Sequence, residues 1–293
     1  MTARVVLKRA SRAVWLKRRR GGLGGSDVAA VLGMSPYRTA LDVWLDKTGR
    51  ATSDVDTYPT RRGTFLEPYL LAEYARAHPD AWMHKPPALL AHPDYPMIQA
   101  SLDGLADYPD RTVVIECKTA GWRAREPWWD EERLIPDHYA VQVLTYLAVT
   151  GLDEAHVVAD VAGDFTEVTI MRDPEWEAAA LGLLADWWQR HVVADVPPAA
   201  DWERDTVAAL NRAWATAPGE SVEASAAAAG AVEAYRALSA KAKALDALTA
   251  ALRVQVREHM RSAQVLTIGG EKAASIDSRG TLRFAKSKED PAA

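Results

Sequence analysis

The chain has 293 residues, 48% of them hydrophobic and eleven of them Trp, which is enough to bury a large core in one or two domains. Its formal net charge of -5 argues against non-specific coating of nucleic acid, although an enzyme that holds DNA in one channel can be acidic overall. The single cysteine, Cys117, excludes internal disulfides and Cys-ligated iron–sulfur clusters. No apolar run approaches the ~20 residues of a membrane span and no secretory signal is recognisable, so we expect a cytoplasmic protein without a membrane partner.

The N-terminal segment is basic and leads into a glycine-rich turn. Residues 1–20 contain eight Lys or Arg and no Asp or Glu, and residues 21–25 contain four glycines. A short helix is predicted over residues 28–33, capped by Ser26 or Asp27. Backbone N–H groups at such a helix start, beside cationic side chains, suit an anion. The alternative is a solvated charge run followed by a tight turn.

Two helices and an extended region come next. Helical spacing of apolar residues predicts helices over residues 39–48 and 65–76, with Glu67 in the first turn of the second. Residues 51–60 are predicted to be a polar loop. Residues 78–96 contain five Pro and three His and are predicted to form extended segments and turns. These histidines lack metal-ligand spacing, so we predict that they are structural or exposed.

A motif of acidic and basic residues lies in the middle of the chain. Residues 113–115 are Val-Val-Ile, which predicts a buried strand that continues through Glu116, Cys117 and Lys118. Side chains alternate along a strand, so Glu116 and Lys118 are expected to share one face. With Asp103 upstream, the pattern is D-(x)12-E-x-K. Two carboxylates can hold Mg2+ while a lysine orients or deprotonates water, a set that suits phosphodiester hydrolysis. The alternative is an edge strand with a solvated Glu/Lys pair.

The segment after this strand combines an irregular connection with regular elements. Three tryptophans in the connection could stack on bases, wedge a duplex end or pack in the core: Trp122, Trp128 and Trp129. A helix is predicted over residues 139–150, where Gln142 lies among apolar neighbours and, if buried, needs hydrogen-bond partners. A hairpin over residues 155–171 and a helix over residues 175–190 follow.

We predict three parts along the chain. Residues 1–200 form the core with its basic arm, residues 201–262 a helical extension, and residues 263–293 a small β tail with a disordered end. Within the extension, residues 221–262 carry a narrow apolar stripe at helical spacing. Such a stripe suits packing on one neighbour, which is either the preceding helix, another subunit or a partner protein.

Five short motifs together resemble the YqaJ-like viral recombinase family, the lambda-exonuclease type of phage nuclease. They occur in the family's order between residues 15 and 190: RRGGLGGSD near the start, GTFLE at Glu67, ASLDG at Asp103, IECK up to Lys118, and IPDHYAVQV at Gln142. The resemblance implies a restriction-endonuclease-like core of the PD-(D/E)xK type. In this α/β (α+β) fold a mixed central sheet is flanked by helices, and here a C-terminal helical extension is added.

The same resemblance implies a set of metal ligands. Asp103 and Glu116 correspond to the carboxylate ligands, and the backbone carbonyl of Cys117 adds another. Glu67 corresponds to an outer acidic residue that acts through water or a second ion. A further acidic position corresponds to Asp94, with the spacing off by one residue. The implied cofactor is Mg2+, for which Mn2+ can substitute.

The resemblance also assigns the remaining catalytic residues and an end-binding site. Lys118 corresponds to the residue that activates water or stabilises the developing charge, and Gln142 to the residue that orients Lys118 or the water. The implied 5′-phosphate clamp consists of Ser26, Gly25 and Arg19, with Arg20 as the alternative to Arg19 in the basic run.

The implied activity is a Mg2+-dependent 5′-to-3′ exonuclease that digests one strand of duplex DNA and leaves 3′ overhangs during phage-type recombination. An endonuclease on the same core and a non-catalytic DNA-binding scaffold are the alternatives. The implied partners are double-stranded DNA ends and a single-strand annealing protein, in a bacterial host cell with a phage or prophage gene. The lambda-type enzyme assembles as a trimeric ring but lacks an extension like residues 201–293. The resemblance therefore does not determine whether this chain forms the same trimer.

Overall fold

A five-stranded mixed sheet lies at the centre of the N-terminal part of the protein. The structure is a computed structural model that describes residues 3–51, 57–122, 128, 135–199, 210 and 219–285. Strands run in the order β2-β5-β6-β7-β8: β2 Trp82–His84, β5 Gly104–Asp107, β6 Thr112–Ala120, β7 Glu154–Val161 and β8 Asp164–Met171. The pair of β6 and β7 is parallel and the other pairs are antiparallel. The predicted mixed sheet flanked by helices is therefore confirmed.

Strand β6 is the central strand of this sheet and is covered on both faces. Val113 and Ile115 pack with Leu70 and Tyr74 of helix α4 (Tyr58–Ala77). Val114 belongs to the core on the opposite face, which helix α5 (Asp137–Thr150) covers. The edge-strand alternative for the Glu/Lys pair is therefore wrong, because β6 has a hydrogen-bonded neighbour on each side.

The N-terminal residues fold onto the domain. Strand β1 (Arg4–Leu7) joins β3 (Leu89–Ala91) and β4 (Gln99–Ala100) in a second sheet of order β1-β3-β4. Helix α1 (Arg12–Arg19) follows, and the indole N–H of Trp15 in this helix donates to the carbonyl of Ala88 at 3.1 Å. The basic arm is thus ordered through β pairing and a tryptophan contact, which its charge pattern did not predict.

Several helix starts differ from the sequence prediction because caps lie further upstream. Helix α2 spans Gly25–Val31 rather than residues 28–33; its cap is Gly24, whose N–H donates to the Asp27 carboxylate at 3.0 Å. Helix α4 begins at Tyr58 inside the predicted polar loop, since the Thr57 hydroxyl accepts the N–H of Thr60. The other helices of this part are α3 (Ala40–Lys47) and α6 (Pro174–Trp187), and α6 continues into a π-helical turn, Trp188–Val193.

The chain divides into two compact units, Met1–Thr216 and Ala217–Ala293. In the second unit, helix α7 (Ala226–Met260) is capped by Ser225 and precedes a three-stranded antiparallel sheet of order β11-β10-β9: β9 Val265–Ile268, β10 Glu271–Ile276 and β11 Leu282–Phe284. Met260, Ala274 and Leu282 form its small core, so the long helix and the β tail belong to one unit.

Some predictions fall on residues outside the described ranges. These are the end of the tail (286–293), Trp129, and residues 201–218 of the predicted helical extension apart from residue 210. Of the other tryptophans, Trp128 is buried against Tyr139, which is the core-packing alternative, and Trp122 is exposed. None of the helices in the described parts has the length and apolar character needed to cross a membrane.

Candidate active site

Glu116 and Lys118 form a hydrogen-bonded triangle with Gln142. The Lys118 ammonium lies 2.5 Å from Glu116 Oε1 and donates to Gln142 Oε1 at 3.1 Å. The Gln142 side-chain amide donates to the same Glu116 oxygen at 2.7 Å. Because side chains alternate along a strand, Glu116 and Lys118 both lie on the face of β6 that α5 covers, and Gln142 belongs to α5. All three groups are therefore fixed on regular elements.

Asp103 joins this triangle at the point where strand β5 begins. Strand β5 begins at Gly104, which lies opposite Ile115 in the antiparallel pair with β6. No residue of β5 therefore lies opposite Cys117, two residues further along β6. The Asp103 carboxylate accepts the Cys117 N–H instead, at 2.8 Å. Because the N–H and C=O of one strand residue point to the same edge, the Cys117 carbonyl faces the Asp103 side as well.

Three carboxyl groups meet at this end of β6. Burial raises the pKa of Glu116 to about 8, and the nearby charge of Asp103 adds to the effect. Burial also raises the pKa of Asp103, although Lys118 and the Cys117 N–H oppose it. Glu67 reaches the group from α4, and burial followed by the Asp103 charge raises its pKa too. Each ionised carboxylate is disfavoured here, which is the condition that a bound cation relieves.

The residues present fit a hard divalent cation. Glu116 is 3% exposed, and its Oε2 atom is buried without a hydrogen-bond partner in the described part of the chain. A buried carboxylate oxygen without a donor is costly unless it has a partner, and a metal ion is such a partner. With Asp103, Glu67 and the Cys117 carbonyl nearby, the donor set is all oxygen, which matches Mg2+ or Mn2+.

The glycine-rich turn lies directly beside this group. A Cβ atom at Gly25 would be 2.8 Å from the Gln142 carbonyl oxygen and 3.0 Å from its Cα, so the two backbones are in close contact. Arg19 Nη2 donates to the Ser26 hydroxyl at 2.9 Å, and its guanidinium lies 5.1 Å from the centre of the Trp15 ring. Gly25 and Ser26 occupy the first turn of α2, where backbone N–H groups have no acceptor within the helix.

Asp27 anchors the turn through buried ion pairs. Its carboxylate is 1% exposed and lies 2.8 Å from Lys47 Nζ and 2.6 Å from Arg38 Nη1. Burial alone would raise the pKa of Asp27, but Lys47, Arg19 and Arg38 outweigh burial and hold the pKa well below its usual range. The sequence motif contains Asp27, but the partners Arg38 and Lys47 were not predicted.

The structure distinguishes Arg19 from Arg20, which the sequence left as alternatives, and shows where Asp94 lies. Arg19 contacts Ser26, whereas Arg20 points to Asp46, with Nε and Oδ1 3.7 Å apart. Asp94 is exposed in the turn between β3 and β4, where its N–H donates to His92, and no described contact connects it with the three carboxylates.

Two tyrosines of α5 belong to the site and were missed. Lys118 Nζ lies 4.8 Å from the centre of the Tyr139 ring, and the Tyr146 hydroxyl accepts from Gln142 Nε2 at 2.7 Å. They stand three residues before and four residues after Gln142, which is the spacing of one helix face. That spacing was the signal in the sequence that could have identified them.

The fold is shared with a solved exonuclease. It is similar to an alkaline exonuclease (LHK-Exo) from Laribacter hongkongensis, with 21% identity, a TM-score of 0.52, and coverage of 62% of this chain and 93% of that one. The same exonuclease in complex with dAMP gives 23% identity with the same TM-score and coverage.

The family comparison agrees with the motifs. Residues 14–153 match the YqaJ-like viral recombinase domain, which confirms the predicted resemblance to this family. The chain is also 29% identical over 268 residues to the uncharacterized protein YqaJ of Bacillus subtilis (strain 168), covering 90% of this chain and 82% of that protein.

Proposed function

We propose that this protein is a metal-dependent deoxyribonuclease that digests one strand of linear duplex DNA from the 5′ end and leaves 3′ overhangs. The observation that carries the proposal is the meeting of Glu67, Asp103 and Glu116 with Lys118 and Gln142 around an unpartnered carboxylate oxygen. A scaffold that only binds DNA gains nothing from three mutually repelling acids of which Glu116 is fully buried, because they oppose binding of a polyanion.

The metal would be Mg2+, with Mn2+ as a substitute. Asp103, Glu116 and the Cys117 carbonyl would hold it, and Glu67 would act from the outer side through water or a second ion. When bound, the ion supplies Lewis acidity toward the scissile phosphate and lowers the pKa of water.

Lys118 would act on the attacking water or on the scissile phosphate, and Gln142 would position Lys118. The Lys118 ammonium is fixed by Glu116 and Gln142, so its N–H groups can donate to the attacking water or to an anionic phosphate oxygen. Gln142 holds Lys118 with its carbonyl and Glu116 with its amide, and Tyr146 accepts the second amide proton. A side chain held at both ends needs no reorganisation during the reaction.

The proposed polarity rests on the glycine-rich turn. Arg19 and Ser26 offer a guanidinium, a hydroxyl and first-turn N–H groups, which is a donor set for a terminal phosphate. Gly25 lies against Gln142, so a 5′-phosphate held here would lie beside the three carboxylates. The dAMP complex of the similar alkaline exonuclease is consistent with a deoxynucleotide as ligand of this fold.

Linear duplexes labelled at the 5′ or the 3′ end provide the test. We expect Mg2+-dependent release of mononucleotides from the 5′ end and none with a chelator present. Glu116→Gln and Lys118→Met should abolish digestion, whereas Glu233→Gln and Lys241→Met, exposed on α7, should retain it. Full activity of Glu116→Gln would refute the catalytic assignment, and cleavage of covalently closed circles would favour the endonuclease alternative.

The protein partner is a proposal from the family alone. A single-strand annealing protein is the proposed partner, and the exposed apolar side chains of α7 are its proposed docking face: Tyr235, Leu238, Leu245, Leu248 and Leu252. Leu245→Glu with Leu252→Glu should weaken co-purification with the annealing protein without reducing digestion. Sizing of the same variant separates this role from self-association.

A further inference from the structure

The α4 face of the central sheet carries a second polar cluster, made by His78, His156 and Glu167. His78 follows α4, His156 lies on β7 and Glu167 on β8. In the sheet register His156 pairs with Ile115, whose side chain faces α4, so this cluster lies across the sheet from Glu116. His156 is buried, and the side chains of His78 and Glu167 are 24% and 25% exposed, which leaves the cluster accessible from solvent.

The three side chains converge on one point. Glu167 Oε1 lies 3.1 Å from His78 Nε2 and 3.2 Å from His156 Nδ1. All three potential ligand atoms lie within 4.8 Å of one another. In a tetrahedral zinc site with bonds of about 2.0–2.1 Å, neighbouring ligand atoms are about 3.3 Å apart. Two of the three separations, at 3.1 and 3.2 Å, are close to this value.

The nitrogens on the far side of both imidazoles are held by other groups. His156 Nε2 lies 2.7 Å from Glu154 Oε1, and His78 Nδ1 lies 2.9 Å from the Tyr108 hydroxyl. Metal-binding histidines show this arrangement, because a carboxylate or hydroxyl on one nitrogen fixes the ring and leaves the other nitrogen for the metal. Arg111 balances Glu154, with its Nε 2.8 Å from Glu154 Oε2.

The protons of the neutral side chains do not satisfy every acceptor in the cluster. If neutral His156 donates its Nε2 proton to Glu154, its Nδ1 atom carries a lone pair 3.2 Å from the anionic oxygen of Glu167. The Tyr74 hydroxyl can donate its proton to this nitrogen, with Tyr108 donating to Tyr74 and His78 Nδ1 donating to Tyr108. His78 Nε2 then carries a lone pair 3.1 Å from Glu167 Oε1. A cation between the ring nitrogens and Glu167 removes this repulsion; a second proton on His156 is the competing solution.

We propose that His78, His156 and Glu167 bind a transition-metal ion such as Zn2+ at a site separate from the nuclease carboxylates. Two imidazoles and one carboxylate favour Zn2+ over Mg2+, which prefers an all-oxygen set. The ion would join the end of α4 to β7 and to the edge strand β8. Because it would bind the folded state alone, the ion would raise the stability of the protein.

Zinc content of the whole protein tests the site. Protein stripped with a chelator is incubated with Zn2+ in excess Mg2+, which competes at the carboxylate centre, then dialysed and analysed for bound metal and melting temperature. We expect one retained zinc per chain and a higher melting temperature than in the stripped protein. His78→Gln and Glu167→Gln should each lose that equivalent and the zinc-dependent shift.

Matched controls separate this site from others. His84→Gln removes a histidine that also faces a carboxylate, with Nε2 3.1 Å from Asp107 Oδ2, but lies outside the cluster and should keep the zinc. Glu116→Gln, at the nuclease centre, should keep it as well. The proposal is overturned if the wild-type protein retains no stoichiometric zinc, or if the zinc survives in folded His78→Gln and Glu167→Gln. The cluster would then be a hydrogen-bonded network with a protonated His156.

Discussion

Gly25 and Gln142 are in direct backbone contact: a Cβ atom at position 25 would lie 2.7 Å from Gln142 Cγ and 2.8 Å from its carbonyl oxygen. This contact joins the turn that holds Arg19 and Ser26 to the helix that orients Lys118. It couples the proposed end-binding site to the proposed catalytic group through packing, so a single methyl group at this contact affects both.

Gly25→Ala is therefore expected to displace Gln142. We predict a stability loss of about 1–3 kcal/mol from overpacking and a drop in digestion rate of about 100-fold from misplacement of the amide. Urea denaturation and the end-labelled digestion assay measure the two effects. Gly182→Ala in α6, where a Cβ meets open space, is the control and should raise stability by about 0.5–1 kcal/mol. A fully active Gly25→Ala protein would show that the contact is unimportant.

Glu116 should make the stability of the metal-free protein depend on pH. Its pKa is about 8 in the folded protein against an ordinary value of 4.5, so the folded state binds more protons between these values. Stability should therefore fall as pH rises from about 4.5 to about 8 in the presence of a chelator. Melting temperatures across this range measure the slope.

Glu116→Gln should flatten the dependence of stability on pH, and Mg2+ should reduce that dependence in the wild-type protein. Part of the slope should remain in the variant, because the pKa values of Asp103 and Glu67 are raised too. An unchanged slope in Glu116→Gln would mean that Glu116 is not the group that titrates.

Arg19 should govern the preference for phosphorylated ends. Loss of a charge-assisted hydrogen bond to a phosphate costs about 1.5–3 kcal/mol, so Arg19→Gln should reduce the rate on 5′-phosphorylated duplexes about 10- to 100-fold while leaving the rate on 5′-hydroxyl duplexes unchanged. Ser26→Ala should act in the same direction. Arg20→Gln is the matched control, because Arg20 points to Asp46. An Arg20→Gln effect larger than that of Arg19→Gln would reverse the assignment.

Asp27 should be the strongest single contributor to the stability of the glycine-rich turn. Asp27→Asn leaves Lys47, whose side chain is 1% exposed, without its closest anionic partner, and should cost about 3–5 kcal/mol in urea denaturation. The double variant Asp27→Asn/Lys47→Met should recover part of this loss. Asp195→Asn breaks the exposed pair with Arg50 and should change little, so equal effects at both sites would refute the role of burial.

Local patterns in the sequence were sufficient to predict strand β6. Alternation along residues 113–118 placed Glu116 and Lys118 on one face, because strand geometry has a period of two residues wherever the strand lies. The mixed fold and the family followed from five motifs in order. Gln142 was identified as an amide among apolar neighbours, and its half-buried side chain has the hydrogen-bond partners that burial requires.

Only the tertiary structure determined which side chains from distant segments of the chain contact one another. Arg19 and Arg20 are adjacent in sequence, but one residue on a helix is about 100° of rotation, so only packing of α1 determines which of them meets Ser26. The cluster of His78, His156 and Glu167 is invisible to ligand spacing, because the end of α4 and the pairing of β7 with β8 bring together residues that are far apart in the chain. The sequence by itself determined the chemistry of the motif, whereas the pairing and packing of its elements determined which side chains share a site.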